Sequence, residues 1–442
     1  MRDTIFALSS GAPPSGVAVI RLSGPGVRFG LETIIGFLPE ARTARLATLR
    51  DASGLLLDRG LVLYFPGPAS FTGEDVAELQ IHGGRASVAA VIDCLSELSG
   101  YRLAEPGEYT KRAFENGRMD LTAVEGLSDL IRAETETQRR QALGQADGAL
   151  RNLYDDWATR ITHARAMVEA ELDFSDEEDI PGSVSDRIWS AMKDLAEEVT
   201  SHLASAKAGE IIRDGFRIAL IGAPNAGKSS LLNALAQRDV AIVSDIAGTT
   251  RDVVEVRLDV AGQLVLLQDT AGIRESDDGI EQEGIRRSKA AADSADLVLE
   301  LRDARTVTDD HEGVFPLKGK SAVVVWTKSD LVESPMPDIS SAELLLSSVT
   351  GEGLDLLLSR IEKEIGETYA VHGEVLPTRT RHKQYLTICL RELMAAVEGE
   401  SIPAELRTEY LRNAAIALGR ITGKVDVEDL LGVIFSEFCV GK

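Results

Sequence analysis

The sequence predicts a multidomain protein of α/β and all-α parts. An N-terminal α+β domain precedes a helical domain that is interrupted by an inserted, doubly wound P-loop domain. Three observations carry this expectation. Residues 216–366 alternate apolar, strand-like runs with helical stretches, the pattern of a mostly parallel sheet with helices on both faces. Residues 150–172 and 188–203 space their apolar side chains by threes and fours, as buried helix faces do. Gly222–Ser229 reads G-x-x-x-x-G-K-[ST] where a strand run meets a helical one.

From the N-terminus, residues 1–118 read as mixed α/β. Short β-like runs at 16–22 and 55–65 are punctuated by Gly24-Pro25-Gly26 and Pro66-Gly67-Pro68. Residues 119–212 turn helical. Leu150, Leu153, Trp157, Ile161, Ala164, Val168 and Leu172 form one apolar stripe, and Ile188, Met192, Leu195, Val199 and Leu203 a second. Between them, residues 171–179 hold six acids in nine positions, read as a solvated turn. Residues 213–375 supply strand runs at 216–221, 264–267, 297–301, 322–326 and 344–346. Residues 376–442 return to helix, with a last helix expected at 428–437, so the α/β part stands between two parts of a helical domain.

Composition narrows the class. With 442 residues, 44% of them hydrophobic and 27% charged, the chain has the make-up of a soluble globular protein with several cores. No apolar run has the length of a membrane span, and the first residues lack a signal core, so neither is expected. Cys94, Cys389 and Cys439 are far apart and odd in number, which suits a reducing cytoplasm and no disulfide framework. A net charge of −24 repels nucleic acid overall, so a polyanion partner needs a local basic patch. The stretch from Arg379 to Lys442, with nine basic and nine acidic residues, is the best place for one, although a salt-bridged helix face reads equally well.

The glycine-rich motif points to phosphate chemistry. Its glycines let successive N–H groups turn inward, and the following helix end adds positive potential. Lys228 would reach the β- and γ-phosphates, and Ser229 would ligate Mg²⁺. Downstream, Gly248-Thr249-Thr250 supplies a second hydroxyl for the metal in Thr250, and Asp269-Thr270-Ala271-Gly272 a carboxylate and a γ-phosphate sensor. Thr327-Lys328-Ser329-Asp330 ends a later strand; the Asp330 carboxylate can accept two N–H donors from guanine, which adenine cannot offer. Ser347-Ser348-Val349 would close the base pocket. In this order on successive strand ends, these motifs imply a GTPase. Ile273 stands where many small GTPases place the glutamine that orients water. Another polar group must do so; Glu281, within the loop Glu275–Gly284, is the best of several acids, with Asp277, Asp278 and Glu283 as competitors.

Further motifs extend the pattern: Val19-Ile20-Arg21-Leu22-Ser23-Gly24, Ser70-Phe71-Thr72-Gly73-Glu74-Asp75, Asn116-Gly117-Arg118-Met119-Asp120 and the terminal Phe438-Cys439-Val440-Gly441-Lys442. With them the chain resembles, over essentially its full length, the family of the tRNA-modifying GTPase MnmE (TrmE). The resemblance implies a homodimer that works with an FAD-dependent MnmG-type partner, in a heterotetramer, on the wobble uridine of certain tRNAs. The product would carry a carboxymethylaminomethyl group on C5, its carbon taken from a 5-formyl- or methylene-tetrahydrofolate. By the same resemblance Arg21, Glu78, Arg118 and Lys442 contact folate, Arg118 standing where lysine is usual. Asn225, Ser244, Ile246 and Thr249 bind K⁺ beside the phosphates, and the catalytic glutamate falls on Glu281, with Lys228 assisting. Nucleotide contacts would come from Asn225 through Ser230 (Ala226, Gly227), from Ser244, Asp245, Ile246, Ala247 and Gly248, and from the motifs above.

Thr327 replaces the usual asparagine of that motif, and Ser348-Val349 a commoner alanine-containing loop. Cys439 reads either as a small buried hydrophobe or, by the resemblance, as a residue of tRNA modification. The histidines show no metal-binding spacing, and Phe71 and Tyr109 read as packing residues. A rival reading is a regulatory or ribosome-assembly GTPase with RNA-binding flanks.

Overall fold

The computed structural model describes residues 3–173, 184–242, 255–269, 290–306, 321–332, 343–369, 375–399, 402–425, 434–435, 438 and 441. It forms two compact units: residues 1–128, 145–180 and 401–442 in one, residues 129–144 and 181–400 in the other.

The first unit is built on a six-stranded sheet in the order β3-β4-β5-β2-β1-β6. These strands are β1 (Thr4–Leu8), β2 (Ser15–Ser23), β3 (Arg45–Arg50), β4 (Leu56–Phe65), β5 (Val76–Gly83) and β6 (Tyr101–Leu103). All neighbours are antiparallel except β1 and β6. Only β2 and β4 stand out as runs in the sequence. One sheet face carries Phe6, Ala18, Ile20, Leu22, Leu79 and Ile81, buried under the helices Val27–Ile35 and Arg85–Ser96. The same unit holds the helix Ala149–Asp173, which packs along Ala404–Thr422. Tyr154, Trp157, Ile161 and Val168 are buried on the first of these and Leu411, Ala414, Leu418 and Ile421 on the second.

The second unit holds the other six-stranded sheet, ordered β12-β11-β10-β7-β9-β8. Its strands are β7 (Phe216–Gly222), β8 (Glu255–Val260), β9 (Gln263–Asp269), β10 (Leu297–Asp303), β11 (Ser321–Thr327) and β12 (Leu344–Leu345). Every pairing is parallel except β8 with β9, a tight hairpin absent from the sequence reading because its turn is only Ala261-Gly262. Both turn residues have positive φ, 52° and 82°, as a two-residue hairpin turn of this hand requires. The core joins Ile218, Leu220, Leu299 and Val325 of the strands to Leu231, Leu235, Leu357 and Ile361 of the flanking helices. The expected helix at 428–437 lies almost wholly outside the described residues. Among those described, no helix is long and apolar enough to cross a membrane.

In this unit the helix Val184–Ala204 packs against Thr380–Glu398. Burial first, and the His382 ring second, push His202 down to about 4. Its unfolded value near 6.5 is higher, so the unfolded chain binds the extra proton between these limits. Stability from the neutral ring is therefore complete above about pH 6.5 and is lost as pH falls toward 4, by on the order of 3 kcal/mol. Thermal unfolding of His202→Gln should lose much of its acid sensitivity between pH 7 and 4.5. Parallel pH profiles for wild type and variant would refute this.

Candidate functional site

β7 ends at Gly222 and the helix Lys228–Ala236 starts after a short loop at the C-terminal end of the strand. β7 lies between β9 and β10, so the strand order reverses around it, where sheets of this kind hold ligands. Local backbone geometry explains the loop's composition. A Cβ on Gly222, whose φ is 152°, would come within 2.4 Å of the Leu301 carbonyl oxygen. Gly227 at φ 91° and Asn225 at φ 62° are left-handed, a region glycine and asparagine enter most readily. Gly227 makes no side-chain cap, and the first N–H groups of a helix have no intrahelical partner.

Lys228 is 7% exposed, and its Nζ donates to Gly222 O at 2.8 Å and Ala223 O at 3.0 Å. The ammonium is thus held within the loop, next to the helix N-terminus. Ser229 and Ser230 are exposed on the first turn. N–H donors, one ammonium and a hydroxyl at the mouth of the sheet fit a nucleotide triphosphate with a hard divalent cation. β9 runs beside β7 with Asp269 opposite Leu220, which brings its end to the same edge.

The Thr327–Asp330 segment grips this loop from behind. Thr327, 1% exposed at the end of β11, has Oγ1 2.7 Å from Ala226 O and 3.2 Å from Arg302 O, and its proton serves the nearer carbonyl. Lys328, left-handed at φ 62°, donates from Nζ to Asn225 O at 2.6 Å and to Asp303 Oδ2 at 2.7 Å. Hydrogen bonds from Arg305 and then Lys328, against burial, hold Asp303 well below the usual carboxylate range. Fully buried Ser347 donates to Asp330 Oδ1 at 2.5 Å while its oxygen accepts the Val349 and Thr350 N–H groups. Asp330 is exposed, Ser348 half-buried and Val349 84% exposed. Ser329 Oγ is buried without a hydrogen-bond partner among the described residues. Asp303 was not foreseen; its only signal is its place at the end of a strand run.

Ser244, Asp245, Ile246, Ala247, Gly248, Thr249, Thr250, Thr270, Ala271, Gly272 and Glu281 lie outside the described residues, as do Cys439 and Lys442.

In the other unit, Arg21 on β2 sits opposite Glu78 on β5, with Nη2 3.0 Å from Oε1. The Arg21 guanidinium lies 5.5 Å from the Phe71 ring centroid and 5.8 Å from that of Tyr109. Tyr109 is fully buried and donates its hydroxyl to Arg21 O at 2.7 Å, so these packing residues also fix the arginine. Arg118 is exposed beside Gly73, where an added Cβ would be 3.3 Å from Arg118 Cγ. The tail reaches the same sheet: Ser9 Oγ donates to Gly441 O at 2.7 Å, and a Cβ on Gly441 would lie 2.2 Å from Leu8 O. Leu8 belongs to β1, whose Ala7 pairs with Arg21. The structure therefore brings Arg21 and Glu78 together on adjoining strands and sets the penultimate residue against the end of the next, β1.

Thr327→Val removes the donor to a buried carbonyl, which costs about 1–3 kcal/mol. Its Kd for GDP should rise about tenfold, while Thr327→Ser stays near wild type. Unchanged affinity in the valine variant would show that the Ala226 carbonyl needs no such tie.

Comparison with known proteins bears on the whole chain. Residues 121–439 match the MnmE helical domain and residues 4–118 the GTP-binding protein TrmE N-terminus. The tRNA modification GTPase MnmE of Rhizobium etli (strain CIAT 652) is 54% identical over 444 residues, covering 100% of this chain and 99% of that protein. MnmE of Sinorhizobium medicae (strain WSM419) is likewise 54% identical, with the same coverage. A crystal structure of Aquifex aeolicus Era bound to GDP.AlF4- aligns with 40% of this chain and 66% of that one, at 26% identity and a TM-score of 0.26. Both domain matches and the full-length identities agree, and the chain belongs to the family of the tRNA modification GTPase MnmE.

Proposed function

We propose that this protein is a Mg²⁺-dependent, K⁺-activated GTP hydrolase that drives modification of the wobble uridine in certain tRNAs. With an FAD-dependent MnmG-type partner, in a heterotetramer, it adds a carboxymethylaminomethyl group to C5, drawing one carbon from a tetrahydrofolate. The helical domain is then interrupted by the inserted nucleotide-binding domain, and the protein works in the cytoplasm. The observation that carries the reading is the double tie of the P-loop to the base-binding motif, through Thr327 to Ala226 O and Lys328 to Asn225 O.

In this reading Mg²⁺, held through Ser229 and Thr250, and K⁺, held through Asn225, Ser244, Ile246 and Thr249, supply charge neutralisation on the phosphates. Lys228 contributes the protein's own cation, and Glu281 orients the attacking water. Asp330, fixed by Ser347, selects guanine. On the N-terminal sheet, Arg21 and Glu78 supply a charge pair for the pterin and glutamate ends of folate, with Arg118, Lys442 and Cys439 completing the chamber.

The homodimer has support in the same sheet. Its second face is covered near β1 by Tyr109, but at β3 and β4 it presents Leu46, 70% exposed, directly opposite Leu61, 42% exposed. Val17 on β2 is 57% exposed as well. An apolar sheet face left open in this way suits a second copy.

GTP turnover should be at least several-fold faster in KCl than in NaCl at equal ionic strength, and Glu281→Ala should lower it while GDP affinity stays near normal. Equal rates in the two salts would remove the K⁺ assignment. Mass analysis of tRNA nucleosides from a strain lacking the gene tests the substrate; intact wobble modification there would overturn the reading. For the dimer, Leu46→Glu with Leu61→Glu should halve the mass in sedimentation, and an unchanged mass would clear this face of the role.

A further inference from the structure

The segment Asp129–Gly144 is compact with the nucleotide-binding sheet, although the chain enters it from, and leaves it to, the other unit. Its attachment is specific. Arg257 Nη1 on β8 donates to Glu134 Oε1 at 2.7 Å, and the Thr137 N–H donates to Gly262 O in the β8–β9 turn at 3.2 Å. Thr137 lies in the first turn of the helix Glu136–Ala146, so the hairpin carbonyl serves one of the N–H groups a helix end leaves over.

Arg257 is well placed to report on nucleotide. The Ile242 N–H donates to Arg257 O at 2.9 Å, and Asp259 N–H to Val240 O at 2.7 Å, so β8 also binds residues 240–242, which lead into residues 243–254. Glu255 and Arg257 lie immediately after those residues, and Glu255 pairs with Gln268, next to Asp269. Both ends of the stretch carrying the proposed metal threonine are thereby fastened to the strand whose arginine holds Glu134.

We propose that the Glu134–Arg257 ion pair, with the Thr137–Gly262 bond, is the joint through which nucleotide turnover is transmitted to the helical segment and so to tRNA modification. This rests on the reading of residues 244–250 as nucleotide and metal contacts. Glu134 and Arg257 are positioning residues that touch neither nucleotide nor folate. A pair this exposed, Arg257 at 39% and Glu134 at 24%, adds little to stability, so its loss should uncouple rather than unfold.

The test uses full-length protein in a strain lacking its own copy, with purified protein assayed alongside. Glu134→Gln should keep GDP affinity and K⁺-stimulated turnover within about twofold, while the modified fraction of wobble uridine falls about tenfold. Arg257→Gln should give the same split between turnover and modification. Retained modification in both variants, or equal loss of turnover and modification, would overturn the joint. Failure of the wild-type gene to restore modification would instead overturn the proposed function.

Discussion

Two neighbouring carbonyls of the glycine-rich loop, Asn225 O and Ala226 O, are the points on which the join between this loop and the end of β11 depends. Lys328 Nζ holds the first and Thr327 Oγ1 the second. A trans peptide places C=O and N–H on opposite sides. Pulling these oxygens toward Thr327 and Lys328 therefore turns the N–H groups the other way, the Ala226 N–H donating to Ala223 O within the loop at 3.1 Å. The glycine-rich loop and the Thr327–Asp330 segment are consequently one mechanical unit. Asp303 completes it by neutralising Lys328, so that the ammonium carries no unpaired charge into the contact. Threonine at position 327 reaches its carbonyl with a short hydroxyl where the family's usual asparagine would use an amide.

The N-terminal sheet shows a different economy. One face is sealed by two helices around Ile20, Leu22 and Leu79. The other is sealed over Ile5 and Ala7, by Tyr109 with Ala104 and Phe71. At the border of that covered part sits Arg21, gripped by Glu78 and flanked by Phe71 and Tyr109. A guanidinium there is partly desolvated and fixed, which is what recognition of a planar or anionic ligand demands. The tail arrives through Gly441, whose φ of 97° and close approach to Leu8 O exclude any side chain.

Local sequence made the P-loop legible, because glycine spacing, strand and helix all lie within about a dozen residues of one another. The long helices were legible too: the stripe from Leu150 to Leu172 lies in the helix Ala149–Asp173. Strands β1 and β6 were not, since a short buried strand such as Thr4–Leu8 shows no alternation. Nor was the Asp303–Lys328 contact, which joins residues 25 positions apart in sequence. The helix Glu136–Ala146 is the instructive case. Its sequence, ETQRRQALGQA, has little apolar stripe. Polar contacts hold it instead: Gln138 Nε2 to Arg213 O, Gln141 Nε2 to Leu376 O and Glu134 to Arg257. Periodicity sees hydrophobic faces and is blind to such fastening.

Charge poses the remaining constraint on a tRNA enzyme with a net charge of −24. The basic residues after position 379 looked like a patch or like a salt-bridged face, and their contacts favour the second. Arg379 pairs with Asp129, Arg391 with Glu392, Arg412 with Glu409 and Lys424 with Asp155. Such ion pairs leave less free positive charge for a phosphate backbone than the bare number of basic residues suggests. Under the proposed function, what this chain supplies is the nucleotide-driven change and the one-carbon chamber, neither of which needs a positive surface.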